Sequence, residues 1–259
     1  MARGRTRNVF VRRIGPDGDR RRPDELIVEE PLSIQLDSTL VATTMRTPGN
    51  DYELAVGFLH AEGMLGDATV TGVRYCADGS AVASEFNVVT VETGGLAPTP
   101  TPRLGSTSSS CGICGSEAIA ELTTRLHPLS AAPFDPAMLA TVADHVREKQ
   151  DLFGKTGAVH SAATFDRSGT IIDVREDIGR HNAVDKIVGR MLLDGELPPT
   201  DLGLYVSGRA SFEMVQKAWA AGFGTMVAVS APSALAVETA QAAKLQLAGF
   251  IRDGEINVY

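Results

Sequence analysis

Three groups of residues have types and spacings that can do chemistry. The first is Cys111 and Cys114, two residues apart in GSTSSSCGICG, where a run of Ser and Thr precedes the sulfurs and Gly flanks them. Ile119, Leu122 and Leu126 follow at helical spacing, so the pair precedes a helix start. Free amides and the helix dipole there stabilise a thiolate, which lowers a Cys pKa from about 8.5 and makes Cys111 a candidate nucleophile. In a reducing compartment such a pair reads as redox, zinc or sulfur chemistry. The second group is Arg175-Glu-Asp-Ile-Gly-Arg-His-Asn182 and Ser207-Gly-Arg-Ala-Ser211, each a strand end, a Gly-Arg and a helix start. Helix amides with Arg180 and Arg209 would hold phosphates, and Gly208 lets the backbone approach closely. The competing use is structural, with these Arg paired to Glu176, Asp177 or Glu213. The third group is His160 and His181, placed to tune a thiol or donate to a bound ligand.

Other motifs fall away on inspection. Gly154-Lys-Thr156 lacks the upstream glycine of a P-loop, since Lys149 stands there, and no GxGxxG follows a strand. His60-Ala-Glu62 with Cys111 and Cys114 has the residue types of a zinc deaminase, His/Cys/Cys on the metal and Glu moving protons. However, Ser110 stands where Pro is expected and the pieces fall in different parts of the chain, so His60 reads as an ordinary helix-surface residue and no metal ligand is assigned.

Strand ends and helix starts must position these groups. From 158 onward, strands at 158–165, 170–174, 202–206, 226–229 and 246–251 alternate with helices at 182–193, 211–221 and 233–244. That pattern predicts β-α-β crossovers and a mainly parallel sheet covered by helices, with ligands at its carboxyl edge. A further helix opens at Asp135-Pro136, with Leu139, Val142, Val146 and Phe153 on its buried face. Upstream, short β-branched runs at 9–14, 25–30, 32–36, 40–46, 70–76 and 82–92 surround one helix at 51–64, which Asn50 would cap with Glu53 as capping-box acid. Cys76 falls in one of these strands as a small core residue. The Pro/Gly-rich stretch 94–105 divides the chain, giving an Arg-rich arm at 1–22, a small β-rich domain at 23–104 and an α/β domain at 105–259.

Composition sets the outer bounds. With 259 residues and 43% hydrophobic content, the chain reads as globular. No apolar run reaches membrane-spanning length and no secretory signal opens it, so it is expected to be cytoplasmic without membrane association. The net charge is −8, yet residues 1–22 hold eight Arg against Asp17 and Asp19, leaving −8 − 6 = −14 for the rest. No nucleic-acid-binding motif follows the arm, which reads as a solvated segment, and no nucleic acid partner is expected.

Taken together, Ser108-Ser-Ser-Cys-Gly-Ile-Cys-Gly115, Thr156-Gly-Ala-Val-His-Ser-Ala162, Glu176-Asp-Ile-Gly-Arg-His-Asn-Ala-Val-Asp-Lys186 and Ser207-Gly-Arg-Ala-Ser-Phe-Glu-Met-Val-Gln-Lys217 closely resemble the FdhD family, the formate dehydrogenase accessory sulfurtransferases. Arg46-Thr-Pro-Gly-Asn50 and Ala55-Val-Gly-Phe-Leu-His-Ala-Glu-Gly63 resemble its N-terminal part. The resemblance implies a sulfur carrier that takes persulfide sulfur from a cysteine desulfurase. It passes that sulfur to the molybdenum or tungsten bis-guanine-dinucleotide pterin destined for formate dehydrogenase. It also implies a homodimer, a cytidine-deaminase-like larger domain without the deaminase zinc, a persulfide on Cys111, and a guanine nucleotide such as GDP as a mimic of the bound cofactor. Carried onto this chain, the family's cofactor-binding stretch falls on Phe250, Ile251, Arg252, Asp253, Gly254 and Glu255. A non-catalytic cofactor chaperone and a zinc deaminase are the alternatives.

Overall fold

The structure, a computed structural model, describes residues 4–16, 18–76, 79–100 and 115–259. The chain opens with an antiparallel ribbon, β1 (Thr6–Gly15) and β2 (Gly18–Ile27), built from the residues expected as a solvated arm. A four-stranded sheet follows, formed by β3 (Glu30–Leu36), β4 (Thr39–Arg46), β5 (Gly72–Tyr75) and β6 (Val88–Glu92) in the order β4-β3-β6-β5. Leu32, Ile34, Leu36, Val89 and Val91 pack under helix α1 (Asp51–Ala61), whose Leu54, Ala55 and Leu59 close this core.

Three details here differ from expectation. Asn50 takes a left-handed conformation and serves α1 with its backbone carbonyl, not its side chain, because Asp51 is drawn inward by buried Arg46 at 2.9 Å. Glu53 is likewise no capping-box acid, since Arg175 binds it at 2.7 Å. Cys76 lies past the end of β5 with φ 51°, half-buried rather than in the core, and the run expected to be strand from 82 begins only at Val88 because residues 81–86 form turns.

The second half is an α/β layer. Helices α2 (Gly115–Arg125), α3 (Pro136–Leu139), α4 (Val142–Arg147) and α5 (Asp151–Thr156) precede β7 (His160–Asp166), β8 (Ile171–Asp177), α6 (Arg180–Leu193), β9 (Leu202–Val206), α7 (Phe212–Ala221), β10 (Thr225–Ala228), α8 (Ala234–Ala243), β11 (Gln246–Arg252) and β12 (Glu255–Val258). Six strands form one sheet in the order β12-β11-β10-β9-β7-β8. The expected parallel sheet is its centre, β9-β10-β11, where helices make the crossovers. On either side β7, β8 and β12 run antiparallel, because the turns at Asp166–Gly169 and Asp253-Gly254 are too short for a crossover of a dozen residues. Asp253 and Gly254 both have positive φ, which suits an Asp-Gly hairpin turn.

The two halves interlock through α1 and α6. Gly57 and Gly189 let the helices touch backbone to backbone: a Cβ on Gly189 would fall 1.8 Å from the Glu53 carbonyl oxygen. Trp219, Met214, Val215, Ile187 and Val188 fill the core on this side of the large sheet, while Leu139, Val142, Phe165 and Tyr205 fill the other.

Candidate functional site

The strand polarities bring His160, Asp177, Ser207, Gly208, Val229 and Arg252 to one edge of the large sheet, the carboxyl edge of its parallel centre. There a cleft of about 740 Å³ opens, lined by His160, Ile178, Ser207, Ile251, Arg252 and Asp253, with Asp144 and Arg147 from α4, Phe153 from α5 and Gln150 from the turn between them. Of the six-residue stretch carried over at 250–255, Ile251, Arg252 and Asp253 line the cleft. Phe250 is exposed on a β-bulge, and Gly254 and Glu255 lie on the outer hairpin turn.

Whether Arg180 and Arg209 serve a ligand or a neighbouring acid is decided by where the acids go. Glu176 accepts the amides of Leu152 and Phe153, each at 2.8 Å, and so starts α5. Asp177, fully buried, binds Lys186 at 2.8 Å and accepts from the Thr47 and Gly179 amides and from Asn182. Glu213 accepts the Ser211 hydroxyl at 2.8 Å and faces His181 Nε2 at 3.7 Å, an ion-pair distance for a protonated imidazole. All three carboxylates are engaged elsewhere, and Arg180 and Arg209 pair with no acid among the described residues.

Arg180 is the more informative of the two. It is half-buried and its Nε is shielded from water without a hydrogen-bond partner among the described residues. A buried guanidinium nitrogen left unpaired is costly, so an anion here satisfies a need the fold leaves open. Gly208 makes the approach possible, since a Cβ there would sit 3.2 Å from Arg180 Cδ and 3.7 Å from His160 Cε1. Arg209 is exposed on the same turn, which is laced to the next strand-helix loop by Ser230 N to Gly208 O at 3.3 Å and Ser233 N to Ala210 O at 3.0 Å.

The electrostatics follow from this crowding of cations. Burial, then Arg180 and His181, push His160 below its ordinary value, so it is neutral near pH 7 and shares a hydrogen bond of 3.2 Å with Ser207 Oγ. Glu213 is held down to about 2, chiefly by His181 and also by Ser211, against the opposing effect of burial.

The turn that carries Arg180 is braced from the first half of the chain. Thr47 donates its amide to Asp177 at 3.1 Å, receives the Ile178 amide on its hydroxyl at 3.1 Å, and accepts Lys186 Nζ on its carbonyl at 3.0 Å. His60, expected on a helix surface, instead donates Nε2 to the Ala220 carbonyl at 3.0 Å between α1 and α7. Cys111 and Cys114 lie outside the described residues.

Comparison with known proteins adds a family to this geometry. The description FdhD/NarQ family matches residues 27–259. The chain belongs to that family. Its FdhD relatives include proteins named sulfur carrier protein FdhD from Streptomyces avermitilis, 47% identical over 92% of this chain and 88% of that one, and from Mycobacterium tuberculosis, 43% identical over 96% and 94%. A crystal structure from Desulfotalea psychrophila, provisionally assigned as a formate dehydrogenase accessory protein, has the same fold, with a TM-score of 0.78 at 22% identity over 98% of this chain and 97% of that one.

For an FdhD-family chain, the residues missed by sequence reasoning are those on α4 and α5. Phe153 was expected in a continuous buried helix face, but the segment breaks into three short helices and Arg147 stacks over its ring at 4.7 Å. Asp144, Arg147 and Gln150 stand three residues apart, a spacing that could have marked one helix face turned to the cleft.

Proposed function

We propose that this chain is a sulfur carrier serving formate dehydrogenase, acting as a homodimer in the cytoplasm. Cys111 thiolate attacks the persulfide of a cysteine desulfurase, takes its outer sulfur and releases the donor cysteine as thiolate. The substrate that receives the sulfur is the molybdenum or tungsten bis-guanine-dinucleotide pterin. Its phosphates rest on Arg180, Arg209 and Arg252, and its dinucleotide end enters the cleft along Ile251, Arg252 and Asp253. Cys114 thiolate then attacks the inner sulfur of Cys111, so the outer sulfur leaves as sulfide to the metal and a Cys111–Cys114 disulfide remains for an external thiol to reduce. Cys114 supplies the electron pair that turns sulfane sulfur into sulfide.

The observation that carries this reading is the half-buried Arg180 beside Gly208, its Nε without a partner among the described residues, while Glu176, Asp177 and Glu213 are engaged elsewhere. The family's named sulfur carriers supply the chemistry.

Mass spectrometry after incubation with a desulfurase and cysteine tests the carrier step. One extra sulfur on Cys111 is expected, and Cys111→Ala should fail to support formate dehydrogenase. Persistence of activity in Cys111→Ala would leave a cofactor chaperone in place of a carrier. Arg180→Ala should weaken GDP binding at least tenfold, as expected when a buried charge-assisted contact is lost.

A further inference from the structure

We infer that the β1–β2 ribbon is a clasp that closes on the acidic body of a second copy of this chain. The inference rests on the homodimer proposed above and supplies its contact. Both strands lie almost wholly before residue 27, where the family match begins. Its ten residue pairs, from Thr6↔Ile27 to Gly15↔Gly18, project about 33 Å. The root is tied down by Val28 N to the Arg5 carbonyl at 2.9 Å and by Arg5 to the Glu176 carbonyl at 3.4 Å, and β2 packs against α5.

Past Val11 and before Asp24 the ribbon is solvated on both faces. Phe10 is 67% exposed and Ile14 73% exposed. A lone two-stranded ribbon is marginal in water. Here Arg12 pairs directly with Arg21 and Arg13 with Arg20, and like charges facing each other across strands weaken it further. Within the ribbon Arg12 meets Asp19, and Arg21 lies 4.6 Å over the Phe10 ring. A covering surface of negative charge would complement the ribbon's excess of Arg and bury the two apolar side chains.

The same chain supplies such a surface. With +6 on residues 1–22 and −14 on the remainder, two copies related by a two-fold axis each offer a basic ribbon and an acidic body. Nucleic acid fits less well, because a phosphate backbone reaching the ribbon would be repelled by the −14 body beside it. Arg interleaved with exposed Phe and Ile is also the composition of a protein contact.

Sedimentation equilibrium of the full chain tests this in 0.15 M and 1 M salt. The native chain should dimerise at micromolar concentration and dissociate in high salt. Combined Arg12→Glu, Arg13→Glu, Arg21→Glu and Arg22→Glu should weaken the dimer about 100-fold, while the matching Lys variant keeps it. Because the reversed ribbon could unfold, Ile14→p-benzoylphenylalanine in the otherwise native chain gives a second measurement, and light should join two copies. A charge-reversed chain that dimerises like the native one, or a residue-14 probe that links only within its own chain, overturns the clasp and leaves the homodimer standing. A chain monomeric at every concentration overturns both. Tight binding of a 20-base-pair duplex at 0.15 M salt that disappears on charge reversal overturns the choice of occupant.

Discussion

Asp177→Asn is the most searching test of how the fold braces the proposed anion site. The native carboxylate is fully buried, with Oδ1 accepting from Gly179 N at 2.8 Å and Asn182 Nδ2 at 2.9 Å, and Oδ2 accepting from Thr47 N at 3.1 Å and Lys186 Nζ at 2.8 Å. An amide keeps the shape but has one oxygen, so in either orientation two donors face an NH₂ group. Lys186, also fully buried, loses its counter-charge and keeps only carbonyl acceptors, Thr47 O at 3.0 Å and Glu176 O at 3.5 Å. Breaking a buried pair by removing one partner costs about 3–5 kcal/mol, a large part of a typical 5–15 kcal/mol stability. At about 2–4 °C per kcal/mol for a chain of this size, the melting temperature should fall by roughly 10 °C. Urea denaturation and thermal melting measure the cost. Adding Lys186→Met removes the stranded charge, so the double variant should be more stable than Asp177→Asn alone by about 1 kcal/mol or more. GDP affinity reports on the turn itself, because Thr47 and Gly179 brace the backbone that presents Arg180, and it should drop about tenfold. A single variant within about 1 kcal/mol of native, with additive effects in the double variant, would refute the reasoning.

The close crossing of α1 and α6 makes a second prediction, since a Cβ on Gly189 would lie 1.8 Å from the Glu53 carbonyl oxygen and 2.8 Å from Gly57 N. Gly189→Ala gains about 1 kcal/mol of helix propensity but forces backbone apart, so a net loss of about 2 kcal/mol is expected in urea, and a stabilised variant would contradict it. Glu213 titrates near 2 when folded, against an ordinary value of 4.5 when unfolded, so its contribution is present above about pH 4.5 and is lost as pH falls toward 2. Carboxyl NMR should show that value rising in His181→Gln, which removes the largest cause of the shift. His160 is held below its ordinary value in part by Arg180, so Arg180→Ala should raise its titration midpoint in imidazole NMR, and an unmoved midpoint would separate the two groups.

How far the sequence could be read depended on how far each feature reaches along the chain. Helices α6, α7 and α8 and strands β9, β10 and β11 lie within two residues of expectation, because each is a local apolar pattern bounded by its own turn signals. Strand direction is not local, yet the clue was present: four residues separate Phe165 from Thr170, and no right-handed crossover fits in that length. The ribbon's pairing also had a signal in Pro16-Asp-Gly18 between two β-capable runs, though Arg-rich flanks disguised it as a solvated arm.

The site shows a different limit. Glu176, Asp177 and Arg180 sit within one motif, and nothing local says whether the guanidinium belongs to those acids. Their partners come from Leu152, Phe153 and Thr47, which are 24, 23 and 130 residues distant in the chain. The backbone amides and Lys186 claim the carboxylates first, because a buried carboxylate needs several donors at once and a single Arg cannot supply them in this geometry. An Arg freed in this way from both neighbours is no leftover of folding. Burying its Nε without an acceptor among the described residues lowers stability, and the anionic ligand proposed here would supply that acceptor.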